Sequence, residues 1–249
     1  MSGNSAQNFS QAGDGRFATT HWSVVLRAGK PKAPGYQDAL QTLCRSYWFP
    51  LYVYLRRQGY TNQQAEDYTQ AFFCRILEKK VLSMADSKRG KFRSFLLSTL
   101  KHFLADEHDR AKAQKRGGGR KILSIDFKGA ENQYNLEPAD SLSPEKLFDK
   151  SWALTVLDRT MSRLKAELTS QNKQELFEYL KIYLTAGKDA IPYRDKAAQM
   201  NMTEGNVRTA VHRLRRRYRK LLRDEIAQTV TAEEQIDQEI DDLFDALAY

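Results

Sequence analysis

The sequence predicts an all-α protein with two small helical domains joined by a flexible linker, the second domain ending in a helix-turn-helix. Apolar residues recur at helical spacing through most of the 249 residues. Only six prolines and few alternating β-branched runs interrupt that pattern. The run Gly117–Gly119 separates two helical stretches, and the length accommodates one or two domains.

The first predicted domain covers residues 17–116, after a polar lead-in at 1–16 that we expect to be disordered. Thr19 or Thr20 can cap a short helix that contains Trp22. A second helix begins near Tyr36, and Pro50 is expected to break or kink it.

A third helix is predicted after Gly59, with Thr61 or Asn62 as its cap. Asp67 and Gln70 are three residues apart and share its more polar face. Its apolar side comprises Ala65, Thr69, Phe72, Phe73, Ile76 and Leu77.

The stretch 91–121 interleaves aromatic and basic residues. Phe92, Phe95 and Phe103 follow helical spacing, with cations such as Lys101 and Arg110 between them. Aromatic rings mixed with cations suit a surface that stacks unpaired bases and holds phosphates. The alternative is that the rings belong to the core and the cations are solvated.

The linker is predicted at 117–142, and the second domain at 143–230. Ser143 is a suitable cap for a helix with Pro144 in its first turn. An apolar stripe then follows: Leu147, Leu154, Leu157, Met161, Leu164 and Leu168. Another helix is predicted to carry Leu176, Phe177, Leu180, Tyr183 and Leu184 and to end at Gly187.

Residues 193–223 predict the helix-turn-helix. Ala197 is small enough for a close helix crossing, Asn201 tolerates a left-handed turn, and Thr203 is a good cap. The second helix has an apolar stripe that begins at Val207. Its opposite face carries Asn206, Arg208, Thr209, His212, Arg213, Arg216 and Arg219. Such a helix can lie in the major groove of DNA.

An acidic amphipathic tail is predicted at 231–249. It holds seven acidic residues and no Lys or Arg, which leaves a body of 40 basic and 24 acidic side chains, a net +16. The basic body favours a polyanionic partner. The tail is interpreted either as a solubilising or partner-docking helix, or as a competitor that covers the cations of 208–223.

The composition also indicates where the protein is located and which kinds of chemistry it can perform. Two cysteines without a signal peptide favour a cytoplasmic protein, and no run reaches the roughly 18 apolar residues that a membrane span needs. We expect no enzymatic activity, no cofactor and no metal. Consecutive helical residues point about 100° apart, so Asp106–Asp109 cannot converge on one ion. Gly117–Gly119 lacks the Lys-Ser/Thr of a phosphate-binding loop.

The sequence AEDYTQAFF at 65–73, the sequence KFRSFLLSTLKHFLADEHDR at 91–110 and the terminal helix-turn-helix together resemble a sigma factor of bacterial RNA polymerase. The most similar group is the extracytoplasmic-function type, which retains only the second and fourth sigma domains. The resemblance covers about 20–116 and 143–226. It implies binding to core polymerase through the largest-subunit clamp helices and the flap, and to promoter DNA. It leaves open whether an anti-sigma factor exists.

The resemblance also implies residue roles. It assigns polymerase docking to four residues: Glu66, Asp67, Gln70 and Phe73. Recognition and melting of the minus-ten element fall to Phe95, Lys101, His102, Asp106 and Arg110. Reading of the minus-thirty-five element falls to Thr203, Glu204, Asn206, Arg208, Thr209, Arg213 and Arg216.

Three residues depart from the family pattern. Phe95 replaces a usual Trp and His102 a common Asn, which puts the minus-ten preference in doubt. Ala210 replaces a frequent Arg on the reading helix. The alternatives are a stand-alone helix-turn-helix transcription regulator, an RNA-binding or ribosome-associated protein, and a nucleic-acid enzyme.

Overall fold

The fold is described from a computed structural model that covers residues 34, 36–78, 81–84, 91–113, 125–135, 142–185, 192–227, 230 and 233–248. Every regular element within these ranges is helical, so the prediction of an all-α chain is confirmed. The predicted lead-in at 1–16, the helix around Trp22 and the run Gly117–Gly119 lie outside the described residues.

Ten α-helices and one short 3₁₀ helix make up the described part of the chain. They are α1 Tyr36–Arg57, α2 Asn62–Glu78, the 3₁₀ helix Val81–Met84, α3 Phe92–Ala113, α4 Ala130–Asn135, α5 Pro144–Ser170, α6 Gln174–Leu180, α7 Ile182–Thr185, α8 Tyr193–Gln199, α9 Glu204–Ile226 and α10 Gln235–Leu247. None of these helices is both long enough and apolar enough to cross a bilayer.

The capping residues predicted for α2 and α5 are confirmed. The Gln64 amide donates to Thr61 Oγ1 at 3.3 Å, and the Thr61 amide donates to Gln64 Oε1 at 2.9 Å. This reciprocal pair satisfies two amides that lack partners inside the helix. At α5, the Lys146 amide donates to Ser143 Oγ at 3.3 Å.

Pro50 does not end α1, so of the predicted break or kink at this residue the break does not occur. The helix continues to Arg57 with Pro50 inside it. The five residues after the proline, 51–55, are all buried. Burial of large side chains stabilises a structure by about 1.5–3 kcal/mol each, which together outweighs the roughly 3 kcal/mol cost of a proline in a helix.

The described buried side chains form two apolar cores. The amino-terminal core comprises side chains from α1, α2, α3, the first half of α5, the end of α9 and α10. The carboxy-terminal core comprises Leu164, Phe177, Leu180, Tyr183, Ala197, Val207, Val211, Leu214 and Leu221. Residues of the predicted second domain, 143–230, therefore contribute to both cores, because α5 and α9 each run from one core to the other.

Part of the predicted linker, Ala130–Asn135, is a helix packed on α1. Ala130 is buried in the amino-terminal core. Arg56 donates to the Glu131 carboxylate from Nη2 at 2.6 Å and from Nε at 3.0 Å, and the Tyr52 hydroxyl donates to it at 2.5 Å. These contacts span more than 70 residues, so local composition could not predict them.

The buried face of α5 also differs from the predicted stripe. Leu154 is 37% exposed, whereas Phe148, Trp152 and Ala153 are buried. The first half of α5 packs against both α1 and α10, which buries positions outside the single predicted stripe.

The acidic tail forms the predicted helix, α10, but it does not cover the basic face of α9. Ile236 and Leu243 are buried in the amino-terminal core, next to α5. Asp237 pairs with Arg223 near the end of α9. Arg208 and Arg213 remain exposed. Of the cations of 208–223, the tail therefore pairs with Arg223 at the end of α9 but does not cover Arg208 and Arg213.

Candidate nucleic-acid interface

A tight turn joins α8 to α9. The Met200 amide donates to the Lys196 carbonyl at 3.0 Å, and the Met202 amide donates to the Ala197 carbonyl at 3.0 Å. Asn201 has a φ of 51°, the left-handed conformation that Asn adopts more readily than most residues. The residue predicted to make the turn is thus the one that does so.

The start of α9 is fixed by a cap and a buried stripe. The Asn206 amide donates to Thr203 Oγ1 at 3.2 Å, which confirms Thr203 as the cap. Val207, Val211 and Leu214 are buried in the carboxy-terminal core, together with Ala197 of α8. This packing fixes which side of α9 faces solvent.

The solvent side of α9 carries the side chains predicted to read DNA. These residues are all exposed: Thr203, Glu204, Asn206, Arg208, Thr209, Arg213 and Arg216. His212 and Arg219 extend the same basic surface, which we call the α9 outer face. Its polar and cationic groups can donate hydrogen bonds to phosphates and to base edges.

Arg208 and Glu204 form an ion pair on this face. Arg208 Nη2 lies 3.0 Å from Glu204 Oε1, and the Arg208 guanidinium lies 5.8 Å from the centre of the Tyr193 ring. Thr209 Oγ1 donates to the Gly205 carbonyl at 2.9 Å. Arg208 is therefore positioned by α8 as well as by its own helix.

Arg215 and Arg217 have structural roles that the sequence did not reveal. Arg215 Nε donates to the Tyr183 carbonyl at 3.0 Å. Arg217 donates to both carboxylate oxygens of Glu167 at 2.6 to 2.9 Å. These hydrogen bonds raise the pKa of Arg217 above its usual value. Only part of the arginine cluster of α9 is thus available to a partner.

Arg217→Ala is expected to lower the free energy of unfolding by about 0.5–1.5 kcal/mol, because it removes a bidentate ion pair that is partly solvent-exposed. Arg216→Ala removes the same charge from the neighbouring exposed position and should change stability by less than about 0.5 kcal/mol. Urea unfolding of both variants tests this difference. Equal stability of the two would contradict a structural role for Arg217.

The predicted polymerase-binding residues on α2 divide into two groups. Asp67 is exposed, and Glu66 and Gln70 are half-buried. Phe73 is only 3% exposed and lies in the amino-terminal core, where the centre of its ring is 6.0 Å from the centre of the Phe72 ring. Phe73 therefore holds α2 in the fold and is removed from the candidate contact surface. We call Glu66, Asp67 and Gln70 the α2 acidic face.

The predicted minus-ten residues lie along α3. His102 is exposed, and Phe95 is half-buried with its ring 6.0 Å from that of Phe92. Lys101 Nζ lies 2.8 Å from Glu145 Oε1 of α5, and this hydrogen bond raises the pKa of Lys101. Asp106 pairs with Arg75.

Arg110 is the last of the predicted minus-ten residues, and the residues that precede it on α3 contact different partners. Arg110 Nη1 lies 2.9 Å from Glu107 Oε1, whereas His108 Nε2 lies 3.0 Å from the Tyr60 hydroxyl. Because Asp106 also pairs elsewhere, these consecutive side chains point in different directions. Of the predicted minus-ten residues, Phe95 is half-buried and the other four are exposed: Lys101, His102, Asp106 and Arg110.

Comparisons with protein-family models, curated proteins and solved structures give no match to this chain.

Proposed function

We propose that this chain is a sigma factor of bacterial RNA polymerase, which binds core polymerase and directs promoter recognition, DNA opening and transcription initiation. In this proposal, the unit formed by α8, its turn and α9 is a helix-turn-helix that enters the major groove at the minus-thirty-five element. The α2 acidic face docks on polymerase, and α3 contacts the minus-ten element. The polymerase supplies the chemistry, so the chain itself needs no active site.

The observation that carries this proposal is that one chain has two surfaces of opposite character: a cationic one on α9, and an acidic one on α2 in which Asp67 is exposed and Glu66 and Gln70 are half-buried. The α9 outer face is cationic, and a buried stripe and a capped start fix its position on the helix. The α2 acidic face is set by burial of the opposite side of α2, including Ala65 and Phe72. A cationic face suits DNA, whereas an acidic face is repelled by DNA and suits a protein partner.

A stand-alone helix-turn-helix regulator is the second candidate, because the α9 outer face alone would satisfy it. This candidate gives the α2 acidic face no role. Co-elution with purified core polymerase distinguishes the two proposals, and run-off transcription on genomic fragments then tests initiation directly. Specific DNA binding without co-elution or initiation would support the regulator.

Asp67→Lys is expected to weaken binding to core polymerase by at least about tenfold, because it places a cation where the proposed interface needs an acid. The fold should survive, since Asp67 is exposed on α2. Pull-down with core polymerase measures the binding, and circular dichroism checks the helical content.

Asp158→Lys is the matched control for this variant. It makes the same charge reversal at an exposed position of α5. It should bind core polymerase as the unmodified chain does. A normal run-off yield from the Asp67→Lys protein would remove α2 from the proposed docking surface.

A further inference from the structure

Tyr193, the first residue of α8, contacts both the carboxy-terminal core and the α9 outer face. Its half-buried side chain packs against that core, where the centre of its ring lies 5.1 Å from the centre of the Tyr183 ring of α7. The two rings are inclined at 31°. The Arg208 guanidinium of α9 lies 5.8 Å from the centre of the Tyr193 ring. Tyr193 therefore connects a buried aromatic residue to an exposed cation.

Tyr183 is held in place by contacts of its own. It is 2% exposed, and its hydroxyl donates to the Pro192 carbonyl at 3.4 Å. Its carbonyl accepts a hydrogen bond from Arg215 Nε of α9 at 3.0 Å. Pro192 directly precedes Tyr193, and its ring restricts its φ, here −61°. These contacts fix where the Tyr193 ring stands relative to the start of α9.

Arg208 is the cation of α9 that this ring can restrain. Its side chain is 67% exposed, so without contacts it would sample many rotamers. The Glu204 carboxylate lies 3.0 Å from Arg208 Nη2, but an exposed ion pair alone restrains an arginine only weakly. The Tyr193 ring lies within the roughly 6 Å range of a cation–π interaction. The ring therefore supplies a second, independent restraint on the guanidinium.

The position of Arg208 bears on how tightly α9 can bind DNA. Arg208 lies in the second turn of α9, and the first residues of a recognition helix are those that contact base edges. A flexible side chain loses conformational entropy when it binds, whereas a side chain that is already ordered loses less. A restrained Arg208 is thus better prepared for DNA than a freely rotating one.

We propose that Tyr193 is a positioning residue for DNA binding: its ring, packed on Tyr183, holds the Arg208 guanidinium in the arrangement that contacts the duplex. This inference rests on the proposed DNA-binding role of α9. Tyr193 acts through Arg208 and does not require a DNA contact of its own.

The first measurement detects the ring contact in the free chain. An aromatic ring shifts the NMR signals of protons close to its face, so the side-chain signals of Arg208 should move in Tyr193→Leu. Tyr193→Phe keeps the ring, and its Arg208 signals should stay close to those of the unmodified chain. Unchanged Arg208 signals in Tyr193→Leu would overturn the proposal, because the ring would then not be in contact with the guanidinium.

The second measurement is DNA affinity, by fluorescence anisotropy on a random-sequence duplex. Tyr193→Leu should weaken binding about twofold to fivefold, because loss of a cation–π contact lowers the population of the arrangement that binds. Tyr193→Phe should restore the affinity. If Tyr193→Phe lost as much affinity as Tyr193→Leu, the hydroxyl rather than the ring would be responsible, which would overturn the proposal. Tighter binding by Tyr193→Leu would also overturn it, since the ring would then withhold Arg208 from DNA.

Tyr179→Leu is the matched control for the loss of a ring. Tyr179 of α6 is 39% exposed, and its ring centre lies 5.9 Å from Lys196 Nζ, a cation outside the α9 outer face. This variant should bind DNA as the unmodified chain does. A loss as large as that of Tyr193→Leu would overturn the proposal, because removal of any tyrosine from this part of the fold would then have the same effect.

A double-mutant cycle with Arg208→Ala separates positioning from a purely structural role. If Tyr193 acts through Arg208, Tyr193→Leu should cost no further affinity once Arg208 is alanine. An equal loss in both backgrounds would overturn the proposal, since Tyr193 would then only stabilise the fold. Tyr193→Met, which has a flexible side chain without a ring, takes the place of Tyr193→Leu if that variant fails to fold.

These measurements also distinguish the role of Tyr193 from the proposed function of the chain. They use only the chain and DNA, so a positive cycle without polymerase binding or initiation would support the role of Tyr193 and count against the sigma-factor proposal alone. Absence of DNA binding by the unmodified chain would overturn both.

Discussion

Replacing Arg213 and Arg216 with alanine together is expected to weaken promoter-DNA binding by about 2–6 kcal/mol, on the basis of about 1–3 kcal/mol for each arginine that contacts a base edge. Both side chains are exposed on the α9 outer face. Their removal should leave the fold intact, because the residues that hold α9 in place lie on its opposite side.

The way in which DNA affinity falls, for one sequence or for all sequences, distinguishes an arginine that reads a base from one that contacts a phosphate. An arginine that reads a guanine edge gives specificity, so its removal relaxes preference at one position. An arginine on a phosphate contributes equally on every sequence, and its removal lowers the salt slope by about one unit. Fluorescence anisotropy on promoter and scrambled duplexes, at several salt concentrations, separates these two outcomes.

A control must match the loss of two positive charges. Lys128→Ala with Lys173→Ala removes two exposed cations that lie outside α9. This control should keep the promoter preference and lose little affinity, because distant exposed charges are screened within about 8–10 Å. If it lost as much affinity as the Arg213 and Arg216 variant, binding would reflect net charge rather than the α9 outer face.

Local signals in the sequence were sufficient to predict the α8–α9 unit. The Thr203 cap, the left-handed Asn201 and the buried stripe from Val207 are each specified within a few residues. Local side-chain chemistry and the 3.6-residue period act over that range. The same reasoning identified the caps of α2 and α5.

The orientation of individual arginines on α9 was not predictable in this way. The segment 213–217 contains four arginines, and two of them turn towards the protein. Arg217 does so because Glu167, 50 residues earlier, lies within reach. Helical periodicity assigns a position to a face but does not identify a distant acid.

The position at which the tail helix α10 packs could not be predicted from the sequence for the same reason. Arg93 and Glu239 are 146 residues apart, and their contact depends on how α5 positions α3 and α10. The amphipathic pattern of 231–249 predicted a helix that needs a surface, but the partner surface is a tertiary property. Burial likewise removed Phe73 from the contact surface, although its motif position indicated a partner contact.

Val207→Asp is expected to unfold the α8–α9 unit and to abolish DNA binding. Val207 is fully buried in the carboxy-terminal core, beside Val211 and Ala197. The change loses about 1.5–3 kcal/mol of apolar burial and adds several kcal/mol for an unpaired buried carboxylate. That sum is comparable with the whole stability of a typical domain, about 5–15 kcal/mol.

Thr209→Asp separates this effect from electrostatic repulsion of DNA. Thr209 is exposed on the same helix, so the same negative charge there should change stability by less than about 0.5 kcal/mol while still weakening DNA binding. Val207→Ala, which adds no charge, should lie between the unmodified chain and Val207→Asp in thermal stability. Thermal melting followed by circular dichroism ranks the three variants. A cooperative melting curve for Val207→Asp at the same temperature as the unmodified chain would show that the buried stripe does not hold α9 in place. A different set of α9 residues would then have to be assigned to DNA contact.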